Sequence, residues 1–218
     1  MKRVLDIILS LIGLLVFLPI SIPIMLILKL SDEGEIFYIQ QRAGKGGKLF
    51  GIIKFSSMVK NSPNIGAGLL TVENDPRILP FGRFLRKTKL NELPQLINVL
   101  KGDMSIVGPR PQVPTHFDFF PEHVKRELIK MEPGLTGIGS IVFRDEESIL
   151  HSNGKSYDEY YRNEITPYKG ELELWYSRNM SLWLDSILIF LTVWVIFFPN
   201  SKLYKKIFKD LPEKNFES

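Results

Sequence analysis

The chain has 218 residues, 44% of them hydrophobic, with Lys+Arg 28 against Asp+Glu 24 for a formal net charge of +4. That length buries one good core, so a single domain with membrane-binding elements is expected rather than two independent domains. The absence of cysteine excludes a disulfide framework or a thiolate metal site, and His116, His123 and His151 show no ligand spacing, so a zinc enzyme is not expected.

From Ile7 to Leu28 there is no charged side chain, and a helix needs about 20 apolar residues to cross a bilayer core. Pro19 and Pro23 fall inside this run with Ser21 between them. Each proline deletes a backbone donor and crowds the preceding turn, so a straight helix is not expected. The favoured reading is a re-entrant membrane helix, residues 1–30, bent at Pro19, Ser21 and Pro23 so that Lys2, Arg3 and Asp6 lie on the same side as Lys29. A kinked crossing is the alternative. No small-residue cleavage pattern precedes Ser31, which argues against a cleaved signal peptide.

Residues 31–180 form the polar body, the expected catalytic domain. Ile36-Phe37-Tyr38 and Leu49-Phe50-Gly51-Ile52-Ile53 read as short strands of a small β-hairpin broken at Gly44, Gly46 and Gly47. Asn61 to Gly68 reads as a loop over the site. Helices are expected over Pro80 to Arg86, Leu93 to Leu100 and His116 to Met131, the last ending before Pro133-Gly134. Ser186 to Phe198 is apolar but too short to cross comfortably, and Asp185 interrupts it upstream. Trp183, Trp194 and the lysines 202, 205, 206 and 209 make residues 181–218 an interfacial amphipathic helix with a basic tail; a buried core helix is the rival. The fold class is therefore α+β and helix-rich. With lysine and arginine on both flanks, both flanks are expected to be cytoplasmic.

The densest polar stretch contains Arg77, Arg83, Arg86, Lys87 and Lys89, then Asn91-Glu92-Leu93-Pro94-Gln95 and Gly108-Pro109-Arg110-Pro111. Arginine forks grip phosphate oxygens in a planar, bidentate way, and Pro109 and Pro111 would hold Arg110 rigid. A solvated basic face explains Arg83, Lys87 and Lys89 taken singly, but not Arg110 between two prolines. A lone carboxylate among these bases, Glu92, is a natural Mg²⁺ ligand, because Mg²⁺ takes one or two carboxylates and completes its shell with water and substrate phosphate. Pairing of Glu92 with Arg86 or Lys89 is the alternative. Nucleic-acid binding is disfavoured, since no stacking aromatics interleave the arginines.

The run Lys87-Thr-Lys-Leu-Asn-Glu-Leu-Pro-Gln to Ser105-Ile-Val-Gly-Pro-Arg-Pro111 resembles the signature of the bacterial sugar transferases known as monotopic phosphoglycosyl transferases. The likeness extends to the proline-bent amino-terminal helix, to Gln41-Arg42-Ala43-Gly44, Lys54-Phe55-Ser56-Ser57-Met58, Pro133-Gly134-Leu135-Thr136-Gly137 and Asn179-Met180-Ser181-Leu182-Trp183-Leu184-Asp185. The resemblance implies transfer of a phosphosugar from a UDP-sugar to polyprenyl (undecaprenyl) phosphate with release of UMP, a Mg²⁺ cofactor, and a monotopic anchor in membrane lipid. It implies Asn91 and Glu92 at the catalytic positions, Glu92 as metal ligand, and Arg77, Arg86, Gln95, Pro109, Arg110 and Pro111 around the phosphates. A homodimer is left open.

The family's catalytic pair is Asp-Glu, the Asp attacking the sugar-linked phosphorus; here the pair reads Asn91-Glu92. A neutral carboxamide has little nucleophilic power at oxygen. Three accounts stay open at the sequence level: a nucleophile removed by alteration of the chain, replacement of that chemistry by Glu92 or by direct attack of the lipid phosphate, or a non-enzymatic membrane scaffold that binds without turnover. Ser56-Ser57 stands where Arg-Thr is more usual, and Leu18-Pro19 where Ser-Pro is common. Ile138 to Glu147 departs from the commoner version as well, either as a seat of sugar or base selectivity or as an exposed charged turn.

Overall fold

The computed structural model describes residues 1–31, 33–66, 68–149 and 157–214. Helix α1, Lys2–Lys29, is 28 residues long, about 42 Å at 1.5 Å per residue. It continues through Pro19 and Pro23 without interruption, since each proline removes a single rung of the ladder and the neighbouring rungs persist. By length and composition it could cross a membrane. Both of its ends dock on the same body. At the amino end, the Arg3 guanidinium donates to the Val99 and Leu100 carbonyls at 2.5 and 2.8 Å. Asp6 accepts from the Ser105 hydroxyl at 3.0 Å and the Ile106 N–H at 2.9 Å, and Lys2 pairs with Asp185. At the carboxyl end, Ile24 and Leu28 are buried against Phe55 and Leu85.

Strands β1, Phe37–Ala43, and β2, Leu49–Phe55, form the expected antiparallel hairpin, turning at Lys45–Gly47 where Gly46 and Gly47 have φ +69° and +74°. β1 runs further than the sequence suggested, through the polar Gln40, Gln41 and Arg42. The register sets Tyr38 opposite Lys54 and Gln40 opposite Ile52, so by strand alternation Tyr38, Gln40, Arg42, Ile52 and Lys54 share one face. That face lines the main cavity.

Helix α2, Pro80–Lys87, leads into a 3-10 turn, Leu90–Glu92, and then α3, Gln95–Lys101. After β3, Ser105–Val107, come α4, Pro114–Phe117, and α5, Glu122–Leu128. The single helix expected over His116 to Met131 is thus two, because Pro121, without an N–H to bond backwards, starts α5 as its N-cap. Strand β4, Gly134–Thr136, pairs parallel to β3. Then follow α6, Ile138–Val142, α7, Glu146–Ile149, α8, Tyr157–Tyr160, a π-helical turn Tyr161–Ile165, α9, Thr166–Asn179, α10, Leu182–Phe197, and α11, Leu203–Ile207.

The molecule is helix-rich with two small two-stranded sheets among the described residues. One hydrophobic core runs from Ile52 through Val99, Ile138 and Leu172 to Leu188, Leu191 and Leu211. Helix α10 buries Leu184, Leu188, Leu191 and Val195 in it and leaves Trp183, Phe190, Val193 and Phe197 exposed. One face of α10 is therefore core, as the buried-helix reading expected, and the other is exposed and apolar.

Candidate active site

The turn carrying Arg110 is pinned on every side. The Gly108 N–H donates to the Thr136 carbonyl at 2.9 Å and the Gly134 N–H to the Pro109 carbonyl at 2.8 Å. Arg42 donates to the Pro111 carbonyl at 3.1 Å, and Gln112 to the Arg110 carbonyl at 3.1 Å. The approach to β4 is so close that a Cβ on Gly134 would lie 2.1 Å from the Gly108 nitrogen, and one on Gly137 2.2 Å from the Gly108 oxygen. Only glycine permits this contact, which ties the Pro-Gly-Leu-Thr-Gly segment to the Pro-Arg-Pro turn.

Lys89, left-handed at φ 59°, swings the chain from α2 into the 3-10 turn that presents Asn91 and Glu92. The Arg110 guanidinium donates to Glu92 Oε1 at 2.8 Å, and Lys54 reaches the same oxygen at 3.4 Å. Burial alone would raise the Glu92 carboxyl, but Arg110, then Lys54 and Lys89, hold it well below the usual carboxylate range. The pairing alternative is therefore half right: among the described residues Glu92 is ion-paired with Arg110 and Lys54 rather than with Arg86 or Lys89. Asn91 is buried, and its Oδ1 has no hydrogen-bond partner among the described residues. Among the described residues, both side-chain contacts to Glu92 fall on Oε1. With the adjacent Asn91 carbonyl oxygen, Glu92 offers hard oxygen donors that suit Mg²⁺ with substrate oxygens completing the shell. Among the described residues no group of three or more His, Cys, Asp or Glu could hold a metal by itself.

Lys54 and Arg42 are site residues that sequence reasoning passed over as site members. Burial pushes the Lys54 ammonium down to about 7, with Arg110, Arg42 and Arg86 adding repulsion and Glu92 opposing it. Burial likewise lowers Arg42 to about 10. Their signal lay in strand alternation: Arg42 and Lys54 fall on the same face of the hairpin as Tyr38 and Gln40. A third residue, Glu173 of α9, is buried behind the turn, with its Oε1 3.4 Å from the Arg110 nitrogen, and burial raises its carboxyl to about 8.

Asn91, Glu92, Gln95, Arg86, Arg77, Arg110 and Pro111 all line one cavity of about 1050 Å³. Gln95 is buried with Nε2 unpartnered among the described residues, and the Arg86 Nη1 lies 3.9 Å from Met58 Sδ. Pro109 stands behind the turn, outside that cavity, as do Pro19, Ser21 and Pro23 in the second half of α1. Arg77 is a correction. Its guanidinium bonds Asp75 through Nε and Nη2, the Ser62, Ile65 and Gly68 carbonyls through Nη1, and the Leu70 carbonyl through Nη2. With its donors committed at 4% side-chain exposure, Arg77 holds the cavity-rim loop in shape and has nothing left for a phosphate. Phe143, Arg144, Asp145 and Glu146 line the cavity too, and Glu146 pairs with Lys169 at 2.6 Å; the departing segment is thus a cavity wall. His151 lies outside the described residues.

A family model described as bacterial sugar transferase matches residues 1–199. This chain belongs to the bacterial sugar transferase family. Its relatives include the UDP-N-acetylgalactosamine-undecaprenyl-phosphate N-acetylgalactosaminephosphotransferase of Aeromonas hydrophila, 35% identical across 88% of this chain and 42% of that protein. Another is the UDP-glucose:undecaprenyl-phosphate glucose-1-phosphate transferase of Escherichia coli, 38% identical across 88% of this chain and 39% of that protein. The chain thus spans less than half the length of these two. It covers more of the exopolysaccharide production protein ExoY of Rhizobium meliloti, 83%, at 30% identity. In this member of the bacterial sugar transferase family the Pro-Arg-Pro turn, the Glu92 carboxylate with Arg110 and Lys54, and Asn91 stand together at one cavity.

Proposed function

We propose that this chain transfers a phosphosugar from a UDP-sugar to polyprenyl phosphate at the cytoplasmic face of the bacterial inner membrane, beginning a glycoconjugate. The observation that carries the reading is the Glu92–Arg110–Lys54 cluster beside Asn91 in a cavity of about 1050 Å³. In the transfer, the bridging P–O bond of the diphosphate breaks, UMP leaves with its electron pair, and a lipid phosphate oxygen forms the new P–O bond. Arg110 grips the equatorial oxygens of the moving phosphoryl group, and Lys54 supplies a second positive charge from the hairpin. Glu92 with Asn91 Oδ1 would hold Mg²⁺, which when bound neutralises charge on the diphosphate. The Asn91 carboxamide is a poor nucleophile, so we assign the attack to the lipid phosphate itself, with Asn91 orienting the group beside it.

The anchor reading is monotopic. What supports it is that Lys2, Arg3 and Asp6 at one end of α1 and Ile24 and Leu28 at the other engage the same body, which a crossing helix would separate by the bilayer. The exposed apolar faces of α1 and α10 would lie in lipid, with the lysines that follow α10 at the headgroups.

Release of UMP by the full chain in lipid nanodiscs tests the function. Release that requires both UDP-sugar and polyprenyl phosphate supports direct displacement. Asn91→Asp should then add a stoichiometric burst of UMP without acceptor. Absence of release by either protein with every donor would overturn the transferase reading and favour the scaffold.

A further inference from the structure

The active-site cavity does not end at its charged floor. It continues between two helices: its lining includes Leu9, Gly13 and Phe17 of α1, and Ile189, Thr192, Val193 and Ile196 of α10. Leu9, Gly13 and Phe17 follow an i, i+4, i+8 spacing, and the α10 positions an i, i+3, i+4, i+7 spacing, so each set is a single helix face. β3 lies between the two walls, with Ile106 on the floor of the cavity. Gly13 lets α1 pack closely on Leu96 of α3, since a Cβ there would sit 3.0 Å from Leu96 Cδ1. The wall residues are half-buried or exposed, and next to them on the outer faces of the same helices stand Leu11, Ile12, Leu15, Phe190 and Phe197, all exposed.

The geometry points to this groove as the seat of the first isoprene units of the lipid acceptor, an inference that rests on the transferase reading. Three features select that occupant. The groove is lined mainly by apolar side chains, and its two walls belong to α1 and α10, the helices that carry most of the exposed large apolar side chains. Its inner end is continuous with Arg110, Lys54 and Glu92, where a phosphate head would stop. From Leu9 to Phe17 the wall runs about 12 Å at the helical rise, long enough to hold the start of a prenyl chain and too short for all of a long one, whose remainder would stay in the bilayer. Binding the first units here fixes the attacking phosphate against the donor and converts a two-dimensional encounter into a held geometry.

The test uses the full chain in nanodiscs with undecaprenyl phosphate carrying a photoactivatable diazirine on its first isoprene unit, and, as a second probe, a phosphatidic acid carrying the diazirine on an acyl chain. Crosslinks from the prenyl probe are expected within residues 9–17 and 189–196. Val193→Trp, which fills the groove from an exposed position, should cut them at least tenfold, whereas Phe190→Trp on the outer face should leave them unchanged. Prenyl crosslinks confined to Leu15 and Phe190, or insensitive to Val193→Trp, would overturn the groove. Equal labelling by phosphatidic acid would also overturn it, by making the site a general lipid contact. UMP release from Asn91→Asp in the same discs keeps the two questions apart: release without groove labelling fails the groove alone, and groove labelling without release from any donor fails the transferase reading alone.

Discussion

The Arg110 guanidinium donates to Glu92 Oε1 at 2.8 Å, from a turn fixed by β4 to a carboxylate presented by the 3-10 turn after α2. Two elements remote in sequence are locked at the point where charge would develop. Glu92→Gln keeps the shape and removes the charge, leaving Arg110 and Lys54 facing each other without a counter-ion. Transfer should fall on the order of 10²–10³-fold, the scale of losing one preorganised electrostatic partner. UMP release measured beside the parent chain checks this; activity within a few-fold of the parent would remove Glu92 from the mechanism.

Lys54 gives a pH signature. Its ammonium is pushed down to about 7 by burial, so the free protein holds it charged below that value and neutral above. Protonated Lys54 costs folding stability at low pH, and the cost is relieved as pH rises from about 7 toward the unfolded lysine range. An anionic diphosphate beside it reverses the preference, so donor binding should take up a proton at pH 8 and almost none at pH 6. Calorimetry in two buffers of different ionisation enthalpy measures the uptake. Glu173, raised to about 8, is the competing source, and the two separate by mutation: the uptake should vanish in Lys54→Met and survive in Glu173→Gln.

Arg77 should behave as scaffold. Arg77→Met strands the buried Asp75 carboxylate and the carbonyls of Ser62, Ile65, Gly68 and Leu70, and removing one partner of a buried pair costs about 3–5 kcal/mol. A lower melting temperature and faster proteolysis around residues 61–74 are expected. A variant with unchanged melting and weakened donor binding would return Arg77 to the phosphate.

The hairpin, α2, α3 and the Pro-Arg-Pro turn were legible because their signals are local: short apolar runs broken by glycines, Pro80 at a helix start, and two prolines around Arg110. The parallel pairing of β3 with β4 was not, since three-residue strands carry no usable period and the pairing depends on glycines that clear space for a distant backbone. Helix α9 was not among the expected helices: its charged Lys169 and Glu173 interrupt the apolar pattern, yet each is buried, Lys169 against Glu146 and Tyr161, Glu173 behind Arg110. Arg77 was misread for the converse reason: a cluster of bases suggests a ligand, and only the fold reveals which guanidinium is already filled by carbonyls.

Asp6 tests whether the anchor sets the active site. Its carboxylate accepts from the Ser105 hydroxyl and the Ile106 N–H, and β3 runs straight on into Gly108-Pro109-Arg110. Asp6→Ala leaves both buried donors without their partner, and hydrogen bonds to a charged group are worth about 1.5–3 kcal/mol each, so a loss of roughly 3 kcal/mol is expected. Ser105→Ala removes only the hydroxyl and keeps the Ile106 bond, so its cost should be nearer half of that, about 1.5 kcal/mol, and the double variant should cost little more than Asp6→Ala because the hydroxyl's partner is already gone. If β3 transmits the anchor's position, Asp6→Ala must also weaken UDP-sugar binding at temperatures where the variant is still folded, and Ser105→Ala must do so less. Melting shifts without any change in donor affinity would confine Asp6 to holding the helix on the body.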